Sequence, residues 1–236
     1  MLLLVSPVNP EEAALVARSG ADILDLKNVK EGSLGANFPW VLSGVIARCR
    51  RRGLKFSAAV GDLEFKPGTA ALAAYAAASL GADYVKAGLY GVRTGARAAE
   101  LAAAVVRGTK AANPRALAVI AGYADWRRFG GLAPWPLARA ARAAGADAVM
   151  LDTALKDGKT LFDNMTRAEL ARFVRLARAA GLKTALAGSL RADHLPLIRE
   201  LAPDIVGLRG AVCLGGDRRR AVCPERLAAV REAFGA

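Results

Sequence analysis

Short apolar runs alternate along the chain with longer stretches rich in alanine, leucine and arginine that have helical spacing. Repeated strand and helix units of this kind are typical of a parallel sheet covered by helices. Eight strands are predicted, at residues 2–6, 23–27, 55–60, 83–88, 116–122, 148–153, 184–189 and 205–210. The chain has 236 residues, close to the roughly 250 of a typical eight-stranded α/β barrel. We therefore predict an α/β fold, a single (β/α)₈ TIM barrel that occupies residues 1–236 as one domain.

The connections between these strands carry recognisable helix signals. After the first strand, Asn9 is suited to the N-cap, Pro10 to the first helical position and Gly20 to the helix end. An aspartate precedes every even-numbered strand, at positions 22, 83, 147 and 204. These aspartates are at the N-terminal ends of their strands, where a stabilising role is expected in a barrel of this kind.

Charged side chains interrupt three of the apolar strands. Asp25 and Lys27 lie two residues apart in ILDLK, so they share one face of the strand. Lys86 lies within YVKAG, Asp152 ends AVMLD, and Lys156 follows in the next loop. Burying such charges is costly unless they are paired or used. Because the active sites of (β/α)₈ barrels form at the C-terminal ends of the strands, we predict that these five residues form one catalytic group.

The residue types in this group favour amine chemistry over metal or histidine chemistry. The single histidine, His194, lies near a predicted helix start and is interpreted as structural, and no clustered set of histidine, cysteine and glutamate is present. A lysine amine that is desolvated or close to other cations has a lowered pKa and can form a Schiff base with a carbonyl compound. We predict Lys27 as this nucleophile, with Lys86 and Asp152 nearby for proton transfer.

Two glycine-containing turns predict a phosphate site. Gly188-Ser189 ends the seventh strand and Arg209-Gly210 ends the eighth, and barrels of this class often bind a phosphate between the loops after these two strands. Glycine lets backbone N–H groups approach the phosphate oxygens, and Ser189 and Arg209 could add side-chain donors. The expected substrate is therefore a phosphorylated carbonyl compound.

The net charge of +13 allows a second interpretation, a nucleic-acid-binding module. Most arginines, however, lie among alanines in predicted helices, as in residues 138–145 and 171–181, where solvated faces are expected. The densest basic run, residues 48–53, falls where a helix should end, and the helix dipole favours cations there. Aromatic residues make up 6% of the chain and no recognition motif is present, so we expect no nucleic-acid partner. The positive charge can attract anionic metabolites instead.

The sequence also suggests a compartment. No apolar stretch of about 20 residues is present, and the N-terminus MLLLVSPVNPEE lacks a signal-peptide pattern, so we expect a cytoplasmic protein without a membrane partner. Cys49, Cys213 and Cys223 are odd in number and lack C-x-x-C spacing, so we expect free thiols. A homo-oligomer is compatible with the sequence.

Several long segments resemble one known enzyme family. They are ILDLKNVKEGSLGANFPW (23–40), AAVGDLEFKPGT (58–69), DYVKAGLYG (83–91), MLDTALKDGKTLFD (150–163), ALAGSL (185–190) and VGLRGAVC (206–213). Together they resemble the (5-formylfuran-3-yl)methyl phosphate synthase family, also called 4-(hydroxymethyl)-2-furancarboxaldehyde-phosphate synthase. The resemblance spans essentially the whole chain.

The resemblance implies a TIM barrel that condenses two molecules of glyceraldehyde 3-phosphate, with loss of phosphate and water, in the biosynthesis of methanofuran-type one-carbon cofactors. It implies that Lys27 is the Schiff-base lysine and Lys86 the proton acceptor. Asp152 and Lys156 would complete the catalytic group, and Asp25 would orient or tune Lys27. By the same resemblance, no metal and no organic cofactor are expected.

The sequence leaves some alternatives open. A class I aldolase for another phosphorylated sugar would use the same lysine chemistry. The second of two substrate phosphates could be bound by Lys156, by the 28–40 loop or by Arg218–Arg220, and that loop is also a candidate active-site lid. Where the family usually has Gly-Lys-Gly-Asp-Arg, this chain reads LGGDRRR at 214–220, so the role of that segment stays undecided.

Overall fold

Eight parallel strands form a closed barrel in the computed structural model, which describes residues 1–51 and 53–235. The strands are β1 (Leu2–Val5), β2 (Ile23–Leu26), β3 (Lys55–Asp62), β4 (Tyr84–Gly88), β5 (Leu117–Tyr123), β6 (Ala148–Asp152), β7 (Lys183–Leu186) and β8 (Ile205–Leu208). Each strand pairs with its neighbour in the chain, and β8 pairs with β1 to close the barrel. The predicted (β/α)₈ barrel is therefore confirmed.

Helices follow the strands and surround the barrel. They are α1 (Pro10–Arg18), α2 (Pro39–Cys49), α3 (Pro67–Ser79), α4 (Gly95–Ala112), α5 (Trp126–Phe129), α6 (Pro134–Ala143), α7 (Leu161–Asn164), α8 (Arg167–Ala179), α9 (Leu195–Leu201) and α10 (Pro224–Gly235). The short helices α5 and α7 lie within the connections that follow β5 and β6. Among the described residues, no helix combines the length and the apolar character that crossing a bilayer requires.

The predicted signals at the ends of α1 and α2 have their structural counterparts. The Oδ1 atom of Asn9 accepts a hydrogen bond from the backbone N–H of Glu12 at 2.8 Å, and Pro10 is the first helical residue of α1. The basic run at 48–53 begins in the last turn of α2, as expected from the helix dipole. Arg52, within that run, lies outside the described residues.

Two strands end two or more residues earlier than predicted. We expected β7 to reach residue 189 and β8 to reach residue 210, but they end at Leu186 and Leu208. Gly188 has a φ of 111° and Ser189 a φ of 49°, and backbone with such positive φ cannot continue an extended strand. After β8, a 3₁₀ turn begins at Gly210.

The strands are buried on both faces, and the two faces have different neighbours. The outward-facing side chains, such as Leu24 and Val85, belong to the large apolar core shared with the helices. The inward-facing side chains, such as Ile23 and Tyr84, form a smaller apolar cluster within the barrel. Because residues two apart share a face, Asp25 continues the inward series that begins at Ile23. The charges noted in the sequence therefore point into the barrel.

The aspartates before the even-numbered strands bind the preceding odd-numbered strands. One Oδ2 atom accepts a backbone N–H bond in each case: Asp22 from Leu3 at 2.8 Å, Asp83 from Phe56 at 2.9 Å, Asp147 from Ala118 at 2.8 Å and Asp204 from Thr184 at 2.7 Å. These N–H groups are at the N-terminal ends of their strands, where a ladder partner is otherwise missing. The repeated aspartate thus satisfies buried backbone donors, which agrees with the predicted stabilising role.

This pattern gives a stability prediction for Asp83. Replacing Asp83 with Ala removes the acceptor from the N–H group of the buried residue Phe56. Because hydrogen bonds to charged groups contribute about 1.5–3 kcal/mol and Asp83 is partly solvated, we expect the free energy of unfolding to fall by about 1–2 kcal/mol. Urea unfolding followed by circular dichroism measures the change.

Two further variants control this measurement. Asp83→Asn keeps an acceptor oxygen and should lose less stability than Asp83→Ala. Glu100→Ala removes an exposed carboxylate on α4 and should change the unfolding midpoint little. Equal midpoints for Asp83→Ala and Glu100→Ala would contradict the assigned role.

Candidate active site

The deepest charged contact in the barrel is the ion pair between Lys86 on β4 and Asp25 on β2. Lys86 Nζ lies 2.6 Å from Asp25 Oδ1, and the two residues are 2% and 0% exposed. Beyond this ion pair, neither atom has a hydrogen-bond partner among the described residues. The second carboxylate oxygen, Asp25 Oδ2, accepts a bond from Ser6 Oγ at 2.8 Å. Asp25 is thus held between Ser6, which follows β1, and Lys86 in the middle of β4.

Burial and charge act in opposite directions on this pair. Burial alone would raise the pKa of Asp25, but the charges of Lys86 and Lys27 and the hydrogen bond from Ser6 outweigh it and lower the pKa. Burial lowers the pKa of Lys86, the Asp25 charge opposes this shift, and the Lys27 charge adds to it. The net result is an ionised carboxylate beside an amine that loses its proton more readily than an ordinary lysine.

One step closer to the barrel mouth, Asp152 at the end of β6 contacts two lysines. Lys156 Nζ donates to Asp152 Oδ1 at 2.7 Å, and Lys27 Nζ lies 3.8 Å from Asp152 Oδ2. Burial would raise the pKa of Asp152, but the charges of Lys156 and Lys27 lower it well below its ordinary value. Burial lowers the pKa of Lys156, and the Asp152 charge opposes that shift. Lys27 and Asp152 are 8% and 2% exposed, so this group is also largely screened from water.

The loop after β6 is fixed so that Lys156 returns to Asp152. The backbone N–H of Thr153 donates to Asp152 Oδ1 at 2.7 Å, and Lys156 Nζ donates to Thr153 Oγ1 at 3.1 Å. Asp125, which follows β5 and is 1% exposed, accepts two further N–H bonds, each at 2.8 Å, from Ala154 and Leu155. Sequence reasoning did not find Asp125 because its partners are 29 and 30 residues away in the chain.

The structure therefore brings together all five residues predicted for the catalytic group. Three amines and two carboxylates converge from β2, β4, β6 and the loop after β6. Because the carboxylates remain ionised, one positive charge is in excess when all three lysines are protonated, and loss of a proton from one amine is favoured. A neutral amine in such a site can attack a carbonyl carbon or accept a proton from carbon.

Tyr123 and Asp62 form a second contact at the barrel mouth that sequence reasoning missed. The Tyr123 hydroxyl at the end of β5 donates to Asp62 Oδ1 at the end of β3. Burial and the Asp62 charge raise the pKa of Tyr123 well above its ordinary value, so it remains a donor. Asp62 Oδ2 also accepts a bond from the N–H of Leu34 at 3.1 Å. Both residues lie just beyond the strands predicted at 55–60 and 116–122, so the strand pattern gave no signal for this contact.

The contact with Leu34 anchors the loop that was considered as a lid. Leu34 is fully buried in the apolar cluster inside the barrel, so the middle of the 28–40 loop packs against the interior of the barrel. The last two residues of that range, Pro39 and Trp40, already belong to α2. Closure of this loop over a substrate stays a hypothesis.

The turn after β7, predicted to bind a phosphate, contains two consecutive residues with positive φ. Gly188 is buried, and a side chain at this position would come within 3.1 Å of the backbone nitrogen of Thr153. Ser189 has a φ of 49° without being glycine, and such backbone is held by the surrounding structure at a cost of about 1–3 kcal/mol. Strained backbone of this kind is concentrated at functional sites, which is consistent with the predicted role of this turn.

The guanidinium of Arg209, predicted as a direct phosphate donor, is hydrogen-bonded to protein acceptors. Its guanidinium Nη1 atom donates to Glu12 Oε2 at 2.8 Å and to the carbonyl of Ser6 at 2.7 Å. Its Nε atom donates to the carbonyl of Arg218 at 2.8 Å, and its Nη2 atom to that of Arg220 at 3.2 Å. Every guanidinium nitrogen already has a protein acceptor, so the side chain holds the segment from Gly210 to Arg220 against α1.

His194 has the structural surroundings that were predicted for it. It is 8% exposed, and its Nδ1 atom accepts a hydrogen bond from the N–H of Arg191 at 3.3 Å. Its ring packs edge-on against Phe162 with centroids 4.9 Å apart. Burial lowers the pKa of His194, which favours the neutral ring.

A cavity of about 730 Å³ opens beside Lys27 at the C-terminal end of the barrel. It is bounded by the loops after β1 and β2 and by the segment after β8. A second cavity, of about 490 Å³, lies at the opposite end beside Leu2 and Ile205, and none of the five predicted catalytic residues lines it. Substrate access is therefore expected from the Lys27 side.

The fold and this buried lysine–carboxylate group define a TIM barrel with the site architecture of an enzyme. A sequence model of the family described as 4-HFC-P synthase matches residues 3–231. The chain belongs to this family, as the resemblance of its motifs indicated.

Individual relatives give the same result. The chain is 53% identical over 218 residues to the (5-formylfuran-3-yl)methyl phosphate synthase of Methanocaldococcus jannaschii, and the aligned region covers 92% of each chain. It is 46% identical over 233 residues to the enzyme of the same name from Archaeoglobus fulgidus, which covers 99% of each. A crystal structure of 3-hexulose-6-phosphate synthase superposes with a TM-score of 0.65 at 20% identity, covering 98% of this chain and 99% of that one. At that identity the superposition shows the shared barrel fold alone.

Proposed function

We propose that this chain forms (5-formylfuran-3-yl)methyl phosphate from two molecules of glyceraldehyde 3-phosphate, through a Schiff base on Lys27, in methanofuran-type cofactor biosynthesis. Family membership supports the overall reaction. The observation that carries the mechanism is the convergence of Lys27, Lys86 and Asp152 inside one barrel mouth.

The first step is imine formation on Lys27. Its Nζ atom attacks C1 of the first aldehyde, and water leaves from the resulting carbinolamine. Asp152, 3.8 Å away, remains ionised and stabilises the cationic iminium that forms. The iminium withdraws electrons from C2 and makes the hydrogen on C2 acidic.

The second step is loss of phosphate from the imine. Lys86, whose pKa is lowered by burial, accepts the proton from C2. The electron pair of the broken C–H bond forms a double bond between C2 and C3, and the C3–O bond breaks to release phosphate. Asp25 lies 2.6 Å from the Lys86 amine. Its negative charge stabilises the ammonium that forms when Lys86 takes up the proton.

The remaining steps join the two molecules. The unsaturated iminium is electrophilic at C3, and the second triose phosphate adds there through C2 as its enediol. The C2 oxygen of the first unit then attacks C1 of the second to close the ring. Loss of two water molecules gives the furan, and hydrolysis of the imine returns Lys27. Lys156, hydrogen-bonded to Asp152, is the nearest further amine for these proton transfers.

The phosphate of the substrate needs donors at the barrel mouth. We assign this role to the backbone N–H groups of the Gly188-Ser189 turn, the Ser189 hydroxyl and the backbone at Gly210. Arg209 contributes by holding the segment that begins at Gly210 and by adding positive charge beside it.

Incubation with glyceraldehyde 3-phosphate and borohydride tests the proposed activity. Without the reductant, we expect a conjugated furan aldehyde to appear by its ultraviolet absorbance together with inorganic phosphate. With the reductant, mass spectrometry of peptides should find a reduced adduct on Lys27. A class I aldolase would form the adduct without the furan.

Two lysine variants control the trapping experiment. Lys27→Ala should lose both the adduct and furan formation, whereas Lys159→Ala, an exposed lysine in the loop after β6, should keep both. Furan formation at the wild-type rate by Lys27→Ala would exclude the Schiff-base mechanism.

A second prediction concerns the base. Lys86→Arg keeps a positive charge beside Asp25, but a guanidinium cannot readily accept a proton near neutral pH. We expect this variant to form the reducible adduct on Lys27 and to lose furan formation by about 100-fold or more, in the range typical of general-base removal. Lys86→Gln, which is smaller, should behave alike if the larger arginine disturbs folding. Turnover of both variants close to wild type would assign the proton transfer to another group.

A further inference from the structure

The cavity beside Lys27 has a one-sided charge distribution. Six cationic residues line it, namely Lys27, Lys30, Arg48, Arg209, Arg218 and Arg219. Within the described part of the chain, no aspartate or glutamate lies on its wall. A concave surface lined by charges of one sign concentrates ligands of the opposite sign. The cavity therefore favours an anion.

Half of these cations already have a carboxylate partner. Lys27, Arg209 and Arg219 form ion pairs at 3.8, 2.8 and 3.0 Å. Lys30, Arg48 and Arg218 form none among residues 1–51 and 53–235. These three side chains are the ones whose charge is available to a ligand.

Arg218 has the best-defined position of these three residues. Its backbone carbonyl accepts the hydrogen bond from Arg209 Nε, which ties this part of the chain to the barrel. Its side chain is half-buried, whereas those of Lys30 and Arg48 are exposed at the rim. Burial lowers the pKa of Arg218 and the charge of Asp152 opposes this shift. Arg218 and Lys27 line the same cavity, which places Arg218 on the side of the barrel mouth where the first substrate is attached.

Apolar side chains complete the cavity wall. Val8, Val29, Val41 and Val45 lie between the cations. Apolar walls lower the effective dielectric constant and strengthen the attraction between an arginine and a bound anion. Phe38 and Trp40 stack on each other at the rim with ring centroids 4.8 Å apart.

We propose that Arg218, assisted by Lys30 and Arg48, forms a second phosphate subsite that binds the second triose phosphate while the first is attached to Lys27. The subsite lies among the segments that follow β8, β1 and β2, and is separate from the Gly188-Ser189 turn after β7. This inference rests on the proposed function, because two anion sites are occupied at once when the second triose phosphate binds before the phosphate of the first has left.

The physical need for such a subsite follows from repulsion between the substrates. A second triose phosphate that enters the barrel mouth before the first phosphate has left is strongly repelled by it in a partly desolvated site. A separate cation set on the Lys27 side of the mouth offsets that repulsion for the incoming molecule. It also fixes the end of that molecule that does not react, which orients the reacting carbon.

The test compares Arg218→Gln with Arg219→Gln. Both variants remove one arginine from the same segment, but Arg219 is already paired with Asp217. We expect Arg218→Gln to raise the triose phosphate concentration for half-maximal furan formation about tenfold or more, since a charge-assisted pair is lost. Trapping of the first molecule on Lys27 should stay within about twofold of wild type, and Arg219→Gln should leave both measurements near wild type.

Calorimetry with glycerol 3-phosphate gives an independent readout. This compound has no aldehyde and cannot form an imine, so it reports phosphate binding alone. We expect two binding equivalents per chain for wild type and Arg219→Gln, and one for Arg218→Gln. If Arg218→Gln lowers the thermal midpoint of unfolding, the double variant Lys30→Gln with Arg48→Gln replaces it and should weaken the second equivalent.

The two proposals fail in different ways. If wild-type protein forms neither furan nor a Lys27 adduct, the proposed function is wrong. If wild type is active but removal of the unpaired cations leaves the half-maximal concentration and the binding stoichiometry unchanged, the second subsite is wrong.

Discussion

The ion pair between Lys86 and Asp25 is the constraint on which the rest of the site depends. A lysine and an aspartate that are 2% and 0% exposed in the centre of a barrel would each be strongly disfavoured alone. Together they are compatible with the fold, because each charge compensates the other. Removing one partner of such a pair typically costs about 3–5 kcal/mol, since an uncompensated charge is left buried. The pair fixes two amines and a carboxylate in register, since Lys27, directly after β2, lies two residues beyond Asp25.

The same arrangement explains how an uncharged amine can exist near neutral pH. Burial lowers the pKa of Lys86, and the positive charge of Lys27 lowers it further. The negative charge of Asp25 raises the pKa of Lys86 and so limits this shift. Closer to the barrel mouth, Asp152 has the same effect on Lys156, whose amine donates to it at 2.7 Å. In the proposed reaction the protein needs an amine to form the imine and a base to remove a proton. The alternating lysines and aspartates of the site supply both without a histidine. The segments around the barrel mouth then determine where the phosphates lie.

The sequence predicted the features that depend on the local pattern of residues. It missed the side-chain contacts between residues that are far apart in the chain. Alternation within ILDLK placed Asp25 and Lys27 on one face, and the barrel geometry then brought Lys86 and Asp152 to the same opening. The partner of Arg209 was not predictable, because Glu12 is 197 residues away and meets it only where the last strand closes against the first. The contact of Tyr123 with Asp62, 61 residues apart, was missed for the same reason. The end of β7 was placed too late because Ser189 adopts a φ of 49°, which residue type does not reveal.

The most direct measurement is an NMR titration of the Lys86 side-chain amine, assigned by comparison with Lys86→Gln. We expect the wild-type amine to lose its proton at a lower pH than an ordinary lysine side chain. In Asp25→Asn, where the charge that raises the pKa of Lys86 is removed, the midpoint should fall further. A Lys86 midpoint at or above the ordinary lysine value, unchanged by Asp25→Asn, would show that burial does not prepare this amine to act as a base.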